Sequence, residues 1–268
     1  EDFEFVGTDK AFEIVVTNTN KIASMVEILE VIIETGGVPF SPRVKGEDGN
    51  YLDCPRVVTD LVYEKASLWY GNPLPYNIEE RIAKELYGDA VLNSIKYNLK
   101  DSGLSDSDME VESFKQLHDV ILNGIDAVKN LVRENVKATS EEELEGDALE
   151  KKLKKTLGGI IGGGFDPIYL IAQRLVKHSN DDGFLVGSRG SVGSSFVATM
   201  MGITEVNPLS AHYRCPACLY SKFQDEDGND LGSNYPSGFD LPDMDCPKCH
   251  IKMVKDGQDM PFATFLGF

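Results

Sequence analysis

Apolar residues recur at helical spacing over most of the first two-thirds of the chain, and the breaks between them divide it into elements. Residues 8–34 predict a helix in two pieces, with Thr8 as one N-cap and Thr17-Asn-Thr-Asn20 as the break and second cap. Gly36-Gly-Val-Pro39 and Ser41-Pro42 mark an extended linker. Residues 55–70 carry Val57, Leu61, Val62, Ala66 and Leu68 on one helical face, and Gly71 supplies the stop. Residues 78–99 form a further helical stretch that Gly88 interrupts. Phe114, Leu117, Val120, Ile121, Ile125, Val128, Leu131 and Val132 predict one amphipathic helix over 113–136.

The pattern then changes. Residues 141–157 pass from an acidic half to a basic one (Lys151, Lys152, Lys154, Lys155), which reads as a solvated helix rather than a DNA contact. Gly158, Gly159, Gly162, Gly163 and Gly164 suggest a flexible hinge. Asp166-Pro167 caps and starts a helix to His178. The short apolar run 184–186 predicts a strand, and the apolar run 196–203 predicts a helix.

Between those runs lies Val186-Gly-Ser-Arg-Gly-Ser-Val-Gly-Ser-Ser195. A strand, tight loop and helix start aim backbone N–H groups and a helix dipole at one spot, where a phosphate can sit. Arg189 adds a charge that can fork onto phosphate oxygens. Gly187, Gly190 and Gly193 let the backbone approach closely, and Ser188, Ser191, Ser194 and Ser195 offer hydroxyls. The loop has no GKS or GKT, no G-x-G-x-x-G and no G-x-S-x-G, so it is neither a Walker loop, a dinucleotide fingerprint nor a nucleophile elbow. A bare tight turn with a serine cap is the simpler alternative.

The net charge of −18, taken whole, opposes nucleic-acid binding. Its distribution alters that conclusion. Residues 1–150 hold 14 Lys and Arg against 31 Asp and Glu, whereas residues 151–214 hold 8 against 4. The loop therefore sits in a basic island on an acidic chain, and the local field governs contact with a polyanion. The 268 residues suffice for one or two domains. No secretory leader, transit peptide or membrane-spanning run is apparent, so the chain is expected to be cytoplasmic and, starting at Glu1, a piece of a longer protein.

Cys215-Pro-Ala-Cys218 and Cys246-Pro-Lys-Cys249 are two CxxC turns, 27 residues apart. Each presents two thiolates to one point, and together they complete a tetrahedral zinc shell. Four sulfur ligands leave no open position, so the zinc is expected to be structural, folding the polar 219–245 segment. Cys54 stands alone, and His250 is not needed as a ligand. His118, His178 and His212 fit no metal or nucleophile pattern. Asp243-Met-Asp245 abuts Cys246 and belongs with the zinc loop; Asp181-Asp182 reads as a turn. No other acidic pair stands near the loop in sequence, so its own residues offer phosphate binding without a reaction centre.

The stretch LVGSRGSVGSSFVATMMGITEVNPLSAHYRCPAC (185–218) resembles the start of the polymerase domain of the PolC-type DNA polymerase III family, the replicative C-family polymerases of low-GC Gram-positive bacteria. SGFDLPDMDCPKC (237–249), DGQDMPFATFLGF (256–268) and GGFDPIYLIAQRLVKHSNDDG (163–183) are similar too, and FVGTDKAFEIVVTNTNKIA (5–23) resembles the tail of the family's PHP domain. Residues 100–150 exceed the family pattern.

The resemblance implies an α+β chain. Residues 1–50 would be the PHP tail, 51–157 a mostly helical region with an insertion, and 158–268 the first part of a nucleotidyltransferase palm of the polymerase-beta type, with a zinc insert at about 210–255. It implies that Gly187, Ser188, Arg189, Gly190, Ser191, Gly193, Ser194 and Ser195 lie against the incoming triphosphate, and that Cys215, Cys218, Cys246 and Cys249 bind zinc. The family's magnesium-binding aspartate pair is expected beyond Phe268, so this piece would be inactive alone. Primer-template DNA and a dNTP are the implied partners of the whole enzyme. Replisome proteins such as the sliding clamp would bind parts absent here, and no membrane is involved. A stand-alone, non-catalytic zinc module that binds nucleic acid or an anion is the alternative.

Overall fold

A computed structural model describes residues 4–27, 42–140, 143–188 and 190–262. The fold is α+β, mostly helical with one small sheet. The chain divides into two compact units, Glu1–Phe40 and Ser41–Phe268.

In the first unit, α1 (Thr8–Phe12), a π-helical stretch at Glu13–Thr17 and α2 (Asn18–Ser24) follow one another without a break. The expected caps do not form. Gly7 precedes α1, Thr17 keeps helical dihedrals, and the Thr19 hydroxyl bonds back to the Val16 carbonyl at 3.0 Å. Threonine satisfied inside a helix has no need to end it. The helix ends at Ser24, and residues 25–27 are not helical; residues 28–34 of the predicted helix, and most of the 36–42 linker, lie outside the described residues.

In the second unit, α3 (Cys54–Tyr70) starts at Asp53, whose side chain accepts the Arg56 N–H, and stops at Gly71. It is followed by α4 (Tyr76–Tyr87), α5 (Ala90–Leu99), α6 (Asp106–Leu122), α7 (Ile125–Thr139) and α8 (Gly146–Thr156). The helix predicted over 113–136 is thus two helices, parted at Asn123-Gly124. Leu117 and Ile121 of α6 and Val128 and Val132 of α7 are all fully buried in the same core. One apolar period therefore runs across the turn and conceals it. Ser105 caps α6 by accepting the Asp108 N–H, and the Asp108 carboxylate accepts the Ser105 hydroxyl in return.

The glycine run is no hinge. It forms α9 (Gly159–Gly162), which packs on α4. Gly159 has φ +70°, and a Cβ there would stand 2.6 Å from the backbone of Glu85, Leu86 and Tyr87. Only glycine permits so close a crossing. Next, α10 (Asp166–Asp181) runs three residues past His178 and packs on α3. Phe165, not Asp166, holds the N-cap position, while Asp166 is buried in the first turn ahead of Pro167. The short α11 (Phe196–Met200) is buried along its length against α3 and α4. One continuous apolar core runs from Val44 to Leu209.

The sheet has the order β2-β1-β3, from β1 (His212–Arg214), β2 (Ser221–Lys222) and β3 (Val254–Asp256), all antiparallel. Around it lies a separate, smaller core of Ala211, Tyr213, Cys215, Leu231, Leu241, Cys246 and Met253. The chain leaves for this region at 207–209 and returns at 258–260. There the N–H groups of Gln258, Asp259 and Met260 bond the carbonyls of Asn207, Leu209 and Pro208 at 2.8–2.9 Å.

Candidate phosphate loop and metal centre

Phe184, Leu185 and Val186 form no strand; Leu185 is 97% exposed. A strand needs a hydrogen-bonded neighbour, and among the described residues none lies beside this run. The loop follows directly. Gly187, Gly190 and Ser191 are exposed and Ser188 is half-buried, while Gly193, Ser194 and Ser195 are buried. Arg189 lies outside the described residues. The Ser188 hydroxyl is 2.5 Å from Thr204 Oγ1 and 2.9 Å from a Glu205 carboxylate oxygen. Gly190–Ser194 is a 3-10 turn, closed by the Ser194 hydroxyl on the Ser191 carbonyl at 2.7 Å and by the Ser195 N–H on the Val192 carbonyl.

Where the helix dipole was expected to meet a phosphate, the structure places a protein carboxylate. Glu85 of α4 is fully buried against the start of α11. It accepts the N–H groups of Phe196 and Val197, each at 2.9 Å, and the Ser195 hydroxyl at 2.8 Å. Ser195 itself caps α11 by accepting the Ala198 N–H. Burial pushes the Glu85 carboxyl up, against the opposing pull of Arg81 and the N–H donors. Arg81, one turn earlier, bonds Glu85 through Nε at 2.6 Å. Its Nη2 reaches the Ser194 carbonyl at 2.7 Å and the Met260 carbonyl at 3.2 Å. At the other end of α11, Lys65 Nζ donates to the Thr199 carbonyl at 2.9 Å, so charges of the favourable sign face both ends of the dipole. Of the eight expected loop contacts, then, Gly187, Gly190 and Ser191 are exposed, the Ser188 hydroxyl is engaged by Thr204 and Glu205, and Ser194 and Ser195 are committed to the interior.

Sequence reasoning missed Glu85 and Arg81. The signal was there: Glu85 falls on the apolar stripe of α4, seven residues after Ile78 and three after Ile82. A carboxylate on such a stripe must find buried donors. His212 is a satisfied core histidine. It stacks on Phe223 at 4.4 Å, lies 2.7 Å from the Ser210 carbonyl through Nδ1 and 3.0 Å from the Tyr70 hydroxyl through Nε2.

The four paired cysteines converge. Their Sγ atoms all lie within 4.8 Å of one another. Cys215 and Cys249 are 3.4 Å apart and Cys218 and Cys246 3.5 Å. Sulfurs about 2.3 Å from a shared tetrahedral ion would stand roughly 3.8 Å apart, so the group can hold a metal. The two turns are built alike. In each, the first cysteine's carbonyl accepts the N–H of the residue after the second cysteine, from Leu219 at 3.1 Å and from His250 at 2.8 Å. Both of those residues take positive φ, 61° and 59°. N–H groups also point at sulfur, from Cys218 to Cys215 and from Lys248 to Cys246. The Cys218 N–H draws the Cys215 thiol down, while Cys218 and Cys249 are pushed up beside it, as happens where four thiols share one point. His250 is exposed and outside the cluster. Asp243 accepts Lys252 at 2.7 Å and Lys255 at 3.1 Å, so it serves this region as an ion-pair partner. Gly238 and Gly257 allow its closest contacts: a Cβ on Gly238 would meet the Asp256 carbonyl at 2.1 Å, and one on Gly257 the Ser210 carbonyl at 2.3 Å.

Comparison with known proteins places this architecture. The family described as "Bacterial DNA polymerase III alpha NTPase domain" matches residues 126–268. A protein named "DNA polymerase III PolC-type" from Lactococcus lactis is 37% identical over all 268 residues, and one of that name from Pediococcus pentosaceus is 42% identical. A third, from Streptococcus sanguinis, is 36% identical. The chain spans 11%, 13% and 12% of their respective lengths.

Proposed function

The chain belongs to the bacterial DNA polymerase III alpha family, and we propose that it supplies the incoming nucleotide's phosphate loop and a structural zinc site to a replicative DNA-directed DNA polymerase. The observation that supports this is the exposure of Gly187, Gly190 and Ser191 ahead of the buried Ser194-Ser195 turn, which anchors them from behind. An arm held at one end and open at the other suits a triphosphate, which is gripped through its oxygens.

In this reading residues 1–50 are a PHP tail, 51–157 a helical region, and 158–268 the first part of a polymerase-beta-like palm, with the zinc insert at about 210–255. Cys215, Cys218, Cys246 and Cys249 hold the zinc as a closed shell, which supplies folding rather than chemistry. The magnesium ions of nucleotidyl transfer belong to other carboxylates of the polymerase. Those nearest the loop are engaged: Glu85 by N–H groups and Arg81, Glu205 by Ser188. Primer-template DNA and dNTP are partners of the whole enzyme, and the sliding clamp binds elsewhere on it. We assign the polymerase to the cytoplasm; among the described residues no helix is long and apolar enough to cross a membrane.

Equilibrium dialysis of the chain against dATP and magnesium tests the loop. Arg189→Ala should weaken binding roughly tenfold or more, as expected for one lost charge-assisted bond, and equal binding would overturn the assignment. Elemental analysis of metal-replete protein should find one zinc per chain; less than half an equivalent overturns the zinc site.

A further inference from the structure

The pair of half-buried Arg81 and buried Glu85 holds both the start of α11 and the segment at Met260. A carboxylate offers about four lone-pair sites. On Glu85 four donors fill them: Arg81 Nε, the Phe196 and Val197 N–H groups and the Ser195 hydroxyl. Arg81 meanwhile extends its second arm to the carbonyls of Ser194 and Met260. One ion pair on α4 thus ties in two further segments, each more than a hundred residues from it in sequence.

We propose that Arg81 and Glu85 are positioning residues for nucleotide binding. Glu85 takes the anion seat at the start of α11, so that a nucleotide's phosphates are held by the backbone of Gly187, Ser188, Gly190 and Ser191 instead, and Arg81 fixes the Ser194 turn behind them to the segment at Met260. The proposal rests on the loop being the phosphate loop. Two anions cannot share the seat: a phosphate there would meet a buried carboxylate at hydrogen-bond distance, where like charges repel with little screening. An arm whose root is fixed in advance also loses less entropy when it closes on a ligand.

Amide spectra and amide exchange of the intact chain test this. In the wild type, magnesium with dATP should shift the amides of Gly187, Ser188, Gly190 and Ser191 and leave Phe196 and Val197 in place. Shifts centred on Phe196 and Val197 overturn the proposal. Without nucleotide, Arg81→Lys should speed exchange about tenfold at Phe196, Val197 and Met260, one hydrogen bond's worth, while amides in α5 and α7 stay as they were. Glu85→Gln, which keeps the shape but gives up the charge and half the acceptors, should speed it further. Unchanged exchange at those three amides in both variants overturns the proposal, whatever the nucleotide does. The reading of the loop fails separately: altered exchange in the variants, with no loop amide shifted by magnesium and dATP, upholds the lock and removes the nucleotide.

Discussion

The helical core and the cysteine region solve the same problem by opposite means. The first buries whole apolar faces: Val58, Val62, Ile78, Ile82, Leu86 and Ile95 are all fully excluded from water. The second buries seven such residues, two of them cysteines, around strands of two or three residues. At about 25 cal/mol per Å² of apolar surface, so small a core does not balance the entropy of ordering its loops. The helical core is stable by area, and in the proposed reading the cysteine region is stable by ligation. Two stability mechanisms within one compact unit should come apart under the right perturbation.

The largest effect comes from breaking ligation. Chelation, or Cys246→Ser, should unfold the cysteine region and remove about 10–16 kcal/mol of metal-coupled stabilisation. Exchange protection of the Tyr213 and Lys255 amides should vanish while the helical circular dichroism persists; joint loss of both signals would merge the two regions into one. Breaking area comes second. Ile82→Ala should cost about 2–5 kcal/mol in denaturant unfolding and leave the metal content unchanged. The smallest effect is electrostatic and confined to the helical side. Burial raises the Asp166 carboxyl from 3.8 to about 6. The folded state therefore keeps a proton that the unfolded chain has released, so stability is fully present below the unfolded value and falls as pH rises through about 6. Asp166→Asn should flatten that slope and gain about 1–3 kcal/mol at pH 7, read from melting curves at pH 4, 5, 6 and 7.

What the sequence disclosed follows the range of the interactions. The four cysteines were legible because each turn is local: Cys-Pro-x-Cys sets its own geometry, and only the meeting of the two turns is long-range. Gly71 was legible as a helix boundary for the same reason, whereas the Asp53 cap was not read from the sequence. Asn123-Gly124 is a strong turn signal, but it was masked because the helices on either side present the same apolar period to one core. The strand predicted at 184–186 does not form: its residues are strand-like but have no partner strand among those described, and pairing, not propensity, makes a strand. Glu85 was hidden most deeply. Nothing local says that a glutamate on α4 will cap a helix 111 positions later. Its placement on an apolar stripe announces only that some buried donor awaits it.

The ladder between 207–209 and 258–260 has a consequence for how such a chain can be assembled and altered. The segment that carries the four cysteines departs and returns through neighbouring backbones, joined by three hydrogen bonds. Such an arrangement is a cassette: its contents can lengthen, shrink or be exchanged for a short bridge without moving the two ends that the helical body holds. The 27 residues between the cysteine pairs, long for a metal ribbon, are then a length that the body beneath never has to register.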